Sequence, residues 1–135
     1  MKGRKSPRLA VDGVIVSGNK VLLIKRKFEP FAGFYALPGG FVEHGEKVED
    51  ACIREVKEET GLDIKAERLI GVYSDPDRDP RGHIVSVVFL CKIIGGSLKT
   101  ETNETKDMKF FSRHEIRTSR LAFDHKKILK DAGLL

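Results

Sequence analysis

The chain has 135 residues, 40% of them hydrophobic and 33% charged, with no Trp and two cysteines. That length suits one compact domain whose core needs no disulfide staples, and no apolar run approaches the ~18 residues that span a bilayer. The formal charge of +5 points toward nucleic acid, but Lys2, Arg4, Lys5 and Arg8 supply four of those charges and leave the remainder near +1, so the basic arm reads as a solvated tail.

Residues 1–7 are accordingly expected to be a flexible basic segment, and residues 8–135 the folded domain. No apolar stretch follows the basic start, as a secretory signal would require. Cys52 and Cys91 each sit in apolar surroundings, far in sequence from any partner at ligand spacing, so both read as reduced core residues of a cytoplasmic protein. Residues 8–17 and 20–27 predict two strands joined at Ser17-Gly18-Asn19. The unbroken Val21-Leu22-Leu23-Ile24 predicts a strand buried on both faces. A loop rich in aromatics and glycine follows over 28–40, then a helix over 47–60 stopped by Gly61.

Strands are expected at 64–73 and 83–93, separated by the polar, Pro-containing segment 74–82. Gly95-Gly96 is expected to open a loop through about 106, followed by a short strand over 107–111. Ser112 and Glu115 have capping-box spacing. A last amphipathic helix is expected over 122–132, with Asp124 near its start. No internal repeat, low-complexity segment or linker interrupts this one mixed α/β domain.

The helix over 47–60 carries acids where apolar residues belong. At 100° per residue from Val48, the side chains of Ala51, Cys52 and Val56 share one arc, and Glu55 and Glu59 fall inside it at about 340° and about 20°. Glu58 lies beside them at about 280°, while Asp50 and Lys57 face away. Carboxylates on a core-facing arc are costly unless compensated. Arg54 reaches Glu58 at i,i+4, but one guanidinium does not neutralise three acids. A hard divalent cation with oxygen ligands does; an internal network of ion pairs is the alternative.

Upstream of this helix stands a glycine turn, and the two together resemble the Nudix signature. Its positions are filled by Gly40, Glu46, Arg54, Glu55, Val56, Glu58, Glu59, Gly61 and Leu62 without departure. Seven identities and two aliphatic positions arise by chance roughly once in a billion windows. The preceding Leu37-Pro38-Gly39-Gly40 is also typical of the family. The resemblance implies an α/β/α sandwich with a central mixed β-sheet, and a small Mg²⁺-dependent enzyme, with Mn²⁺ as the alternative ion. It implies that Glu55 and Glu59 are the main metal ligands, joined by Glu58 and the Gly39 carbonyl, and that Arg54 and Glu46 orient them. Phosphoanhydride hydrolysis then needs a base for the attacking water. Family members often carry it shortly before a Phe-Phe pair, here Phe110-Phe111, which points to Glu104 and secondarily to Glu101. Gly39-Gly40 is also explained as a tight turn needing positive φ, and the two explanations can hold together.

Residues 73–89 are too dense in charge, Pro and Gly for a generic connection. They resemble the segment after the box in ADP-ribose pyrophosphatases, which place a Pro about fifteen residues past the box glycine; Pro76 occupies that place after Gly61. Arg78 and Arg81 offer guanidinium forks for a diphosphate. Asp75, Ser74 and His83 offer hydrogen bonds to ribose or base, and among Phe28, Phe31, Phe34 and Tyr35 a ring such as Phe34 would stack on the base. The expected reaction is hydrolysis of ADP-ribose to AMP and ribose 5-phosphate. The alternatives are another Nudix substrate (an oxidised dNTP, a dinucleoside polyphosphate, another nucleotide sugar) or a non-catalytic ADP-ribose-sensing domain. The sensor is disfavoured because the metal-site acids are complete and 135 residues leave no room for a DNA-binding module. The expected partner is a small nucleotide, with neither nucleic acid nor membrane, and by analogy a second copy in a homodimer.

Overall fold

The computed structural model describes residues 5–102 and 105–135. Strands β1 (Arg8–Ser17) and β2 (Lys20–Arg26) form the expected hairpin, and Val21, Leu22, Leu23 and Ile24 are buried on both faces. The segment expected to be a loop contains two short strands, β3 (Tyr35–Ala36) and β4 (Gly39–Phe41). Helix α1 (Val48–Thr60) ends at Gly61, whose φ of 84° only glycine adopts freely. Strands β5 (Leu62–Tyr73) and β6 (Ile84–Gly96) are longer than their apolar patterns suggest. Gly95-Gly96 closes β6 and does not open a loop, because the backbone there still pairs with Leu62 and Asp63. Strand β7 (Thr105–Phe111), helix α2 (Arg113–Thr118) and helix α3 (His125–Asp131) complete the chain. The capping box of Ser112 and Glu115 is present. Helix α3 starts at His125 and not at 122, since Phe123 takes a positive φ of 53° that no α-helix tolerates.

The sheet is mixed. Its order is β3-β2-β1-β6-β5, with β4 paired to β1 and β7 to β2. Among the described strands β1 and β6 are the pair that runs parallel, joined by a crossover that contains α1. Val11 and Ile15 belong to a core with Ala51, Cys52 and Val56 of α1. Val14, Val21, Leu23 and Phe111 belong to a second core with Ile116 of α2 and Ile128 and Leu129 of α3. Alternation along the strands thus builds the expected three-layer α/β/α sandwich. Both cysteines are buried and free, their sulfurs 3.8 Å apart. Among the described residues no helix is long and apolar enough to cross a membrane.

One topological detail makes room for a site. β1 and β2 pair only through Val16–Val21 and Ser17–Lys20. Beyond that, β1 pairs with β4 and β6 while β2 pairs with β3 and β7. Residues of both strands, Val11 and Asp12 with Ile24 and Arg26, line the cleft that opens there, about 1000 Å³ in volume.

Candidate active site

The first end of the cleft is set by how low α1 sits on the sheet. Gly13 of β1 has no side chain, and a Cβ there would lie 3.2 Å from Val56 Cγ2. With the helix this close, the carboxylates on its core arc reach β4. Glu59 is only 8% exposed and accepts a 3.0 Å hydrogen bond from the Gly39 amide. A Cβ on Gly40 would lie 2.4 Å from the Glu55 carboxyl carbon, and one on Gly39 would lie 2.1 Å from the Val11 carbonyl. Neither glycine has a positive φ. The pair is therefore needed for close approach, and the tight-turn explanation of the sequence gives way to it.

Arg54 ties the acids together. Its Nε and one terminal nitrogen donate to the two Glu46 carboxylate oxygens at 2.8 and 3.0 Å, and that nitrogen also donates to the Phe41 carbonyl at 3.0 Å. The other terminal nitrogen donates to Glu55 at 2.8 Å and lies 3.4 Å from Glu58. The guanidinium fork holds the Glu46 carboxyl well down, to about 2, and the bond to Glu46 in turn raises the pKa of Arg54 itself. Glu46 and Arg54, eight residues apart, thus brace Glu55 against β4.

Among the described residues no three His, Cys, Asp or Glu side chains converge at metal-ligand geometry. The donor set nonetheless fits a hard dication. Glu55, Glu58 and Glu59 line one end of the cleft with Gly39 and Gly40, all offering oxygen. Arg54 lies within 4 Å of the carboxylates of Glu43, Glu46, Glu55 and Glu58, and buried Glu59 lines the same cleft.

The cleft also holds groups that the sequence reading missed, the first of them on β1 opposite Gly39. Asp12 on β1 is 9% exposed and accepts a short hydrogen bond from Ser86 Oγ. His125 at the start of α3 is 3% exposed; its Nδ1 accepts from the Leu37 amide at 3.0 Å, and its Nε2 lies 3.8 Å from Asp12 Oδ1. Burial pushes Asp12 up to about 7 and His125 down to about 3. The available signal was a lone acid inside the apolar alternation Val11-Asp12-Gly13-Val14, a residue type that belongs in a strand core only when held.

These two shifts oppose each other in stability. Asp12 is raised from 3.8, so its contribution is full below pH 3.8 and lost as pH rises through 7. His125 is lowered from 6.5, so its contribution is full above pH 6.5 and lost as pH falls toward 3. Across the shared window the folded and unfolded states bind the same number of protons at this pair, and the contributions offset. In denaturant titrations between pH 4 and 7, His125→Asn is expected to unmask a loss of stability with rising pH, and Asp12→Asn a gain. Parallel pH profiles for the wild type and both variants would refute the pairing.

The residues expected to bind substrate are divided by the structure. Arg81 lines the cleft, 38% exposed, with its guanidinium 5.5 Å from the Phe41 ring centroid and 5.3 Å from that of Phe123. Buried Asp79 holds it through hydrogen bonds at 3.1 and 2.8 Å. Arg78 also lines the cleft, but its side chain is only 5% exposed, and its fork is taken by Asp124 at 2.8 and 2.6 Å and by the Ile84 carbonyl. Asp75 lines a separate shallow surface pocket beside Tyr73 and Asp131. His83 bonds to the Ser74 carbonyl at 3.0 Å, and Pro76 is exposed outside the cleft. Phe34 packs edge-on against Phe31 with its centroid 5.5 Å away, under the Arg120 guanidinium. The rings that do line the cleft are Phe28, Phe41 and Phe123. Glu104 lies outside the described residues. Glu101 lines the cleft, 60% exposed and 3.2 Å from Lys27.

Comparison with known proteins follows the same geometry. A family model described as the NUDIX domain matches residues 6–132. The chain is 58% identical over 125 residues to an ADP-ribose pyrophosphatase of Methanocaldococcus jannaschii, covering 93% of this chain and 72% of that protein. It superposes with a TM-score of 0.84 and 34% identity on a MutT/nudix family protein from Enterococcus faecalis, covering 98% of this chain and 62% of the other. It also superposes with a TM-score of 0.83 and 28% identity on the NUDIX domain of Shewanella oneidensis NrtR complexed with ADP ribose, covering 98% of this chain and 90% of that one.

Proposed function

The chain belongs to the Nudix family and is a pyrophosphohydrolase, and from that premise we propose that it hydrolyses ADP-ribose to AMP and ribose 5-phosphate with Mg²⁺, or Mn²⁺ in its place. The observation that carries the substrate is the 58% identity to an ADP-ribose pyrophosphatase over nearly the whole chain. The cleft supports it, lined by the carboxylates of Glu55, Glu58 and Glu59, by Arg81 and by the rings of Phe28, Phe41 and Phe123.

Glu55, Glu59 and Glu58, with the Gly39 carbonyl, would hold the cation. When bound there, it supplies charge neutralisation for the diphosphate and acidifies a water molecule. Arg54, anchored by Glu46, keeps Glu55 from swinging away. Arg81 holds a diphosphate oxygen that the cation does not reach. Water attacks one phosphorus, the bridging P–O bond breaks, and a cleft carboxylate accepts the water's proton. Glu104 is the first candidate for that role. Glu101, engaged by Lys27, is the second candidate. Arg78 acts through Asp124, fixing the segment that carries Phe123 and His125.

The deciding assay is a panel of ADP-ribose, an oxidised guanine triphosphate and diadenosine polyphosphates, with Mg²⁺ and with excess chelator. ADP-ribose is expected to be preferred by at least about tenfold in kcat/KM, one decade being ~1.4 kcal/mol, with no turnover in chelator. Preference for a triphosphate by the same margin overturns the substrate, and tight binding of ADP-ribose without products indicates a sensor. Arg81→Ala is expected to lower kcat/KM for ADP-ribose roughly ten- to a hundredfold, the worth of a charge-assisted hydrogen bond, chiefly through KM. Unchanged kinetics in that variant would make the loop structural.

A further inference from the structure

The turn that carries Gly39 and Gly40 is approached through a backbone ladder in which one rung is made by a side chain. Strand β3 pairs with β2 on one side, and on the other Tyr35 forms a parallel bridge with Leu121. The Tyr35 amide donates to the Arg120 carbonyl at 3.2 Å, and the Ala122 amide donates to the Tyr35 carbonyl at 2.8 Å. One further rung of a parallel ladder would bring the Leu37 amide to the Ala122 carbonyl. That carbonyl instead accepts from the His125 amide at 3.2 Å, because the chain turns away at Phe123, whose φ is 53°. The imidazole of His125 supplies the missing acceptor: its Nδ1 accepts from the Leu37 amide at 3.0 Å.

Leu37 is the last donor before the turn, since Pro38 has no N–H. Leu37 and His125 are both 3% exposed, and a buried amide without a partner carries its full desolvation cost. Beyond Leu37 the turn is held residue by residue. The Gly13 amide donates to the Pro38 carbonyl at 2.9 Å, and the Gly39 amide donates to Glu59 at 3.0 Å. His125 is itself anchored, because the neighbouring Asp124 accepts from the fork of Arg78 at 2.8 and 2.6 Å. A line of contacts thus runs from Arg78 through Asp124 and His125 to Leu37, two residues short of Gly39. None of its members lies on the box helix.

We infer that His125 is a positioning residue for the metal site: through the Leu37 amide it fixes the 37–40 turn, and with it the Gly39 carbonyl. This role rests on the metal site proposed above for Glu55, Glu58, Glu59 and Gly39. Groups that orient a metal ligand from outside the site typically change metal affinity by about ten- to a hundredfold. His125 acts through the backbone and not on a ligand atom, which places its effect at the lower end.

The experiment titrates the protein, without nucleotide, with Mn²⁺ and follows the paramagnetic resonance signal of the free ion. Two variants are compared with the wild type. His125→Asn keeps an oxygen acceptor as many bonds from the backbone as Nδ1 is. His125→Leu keeps apolar bulk and removes the acceptor. His125→Leu is expected to weaken Mn²⁺ binding by about tenfold and to speed deuterium exchange at the Gly39 amide in metal-free protein. His125→Asn is expected to stay close to the wild type in both measurements. A side chain that merely fills space gives the reverse order, with Leu harmless and Asn impaired. Should thermal unfolding show that His125→Leu does not fold, His125→Gln takes its place with the same expectation, its amide oxygen lying one carbon too far out. Wild-type Mn²⁺ affinity in the Leu or Gln variant, or an Asn variant no better than they are, overturns the role of His125 and leaves the metal site standing. A wild type that binds no Mn²⁺ removes the metal site, and the role of His125 toward it as well.

Discussion

Glu59→Gln and Glu55→Gln are each expected to lower kcat/KM by about a thousandfold or more with the fold intact. A divalent ion contributes several kcal/mol of charge stabilisation, and each ~1.4 kcal/mol is a decade. The amide has the carboxylate's shape but is a poor ligand for a hard cation. The folded state should tolerate both changes: Glu59 can still accept from the Gly39 amide through its remaining carbonyl, and Arg54 keeps its two bonds to Glu46. Thermal unfolding and Mg²⁺-dependent turnover measured together decide the matter. Activity within a few-fold of wild type in either variant would remove these residues from the metal site.

The second large effect separates two adjacent glycines. At Gly40, an added methyl group meets the Glu55 carboxylate, the far end of a flexible side chain. Gly40→Ala is therefore expected to fold with little loss of stability while displacing a metal ligand, and to be as inactive as Glu55→Gln. At Gly39 the methyl group meets the Val11 carbonyl and the Asp12 backbone, which cannot step aside without breaking the pairing of β1 with β4. Gly39→Ala is expected to cost about 1–3 kcal/mol of stability or more, as overpacking against backbone does, besides its effect on activity. Chemical denaturation of the two variants against a shared activity assay tests the contrast. Equal stability losses would show that the close approach of Glu55 to β4 is not what Gly40 serves.

The sequence by itself determined the family, the three-layer α/β/α architecture and the phase of the box helix. The family and the architecture came from the resemblance to the Nudix signature, and the phase of the helix from a local rule. A helix advances 100° per residue whatever surrounds it, so Glu55 and Glu59 had to share the arc of Cys52 and Val56, and the buried Glu59 and half-buried Glu55 sit on it. The β1–β2 hairpin, the Gly61 stop and the Ser112 capping box are likewise written in residues a few positions apart. The tertiary structure alone decided the rest. Arg78 and Arg81 look equivalent in sequence, yet Asp124 of a distant segment takes the fork of Arg78 and leaves Arg81 on the cleft. Phe34 looked like a ring for the base, but the rings on the cleft are Phe28, Phe41 and Phe123. Asp12 and His125 stand more than a hundred residues apart in the chain, and their shifted proton affinities come from burial against each other's layers. No periodicity encodes such a meeting, because it depends on which strands part to open the cleft and on what the returning chain lays across it.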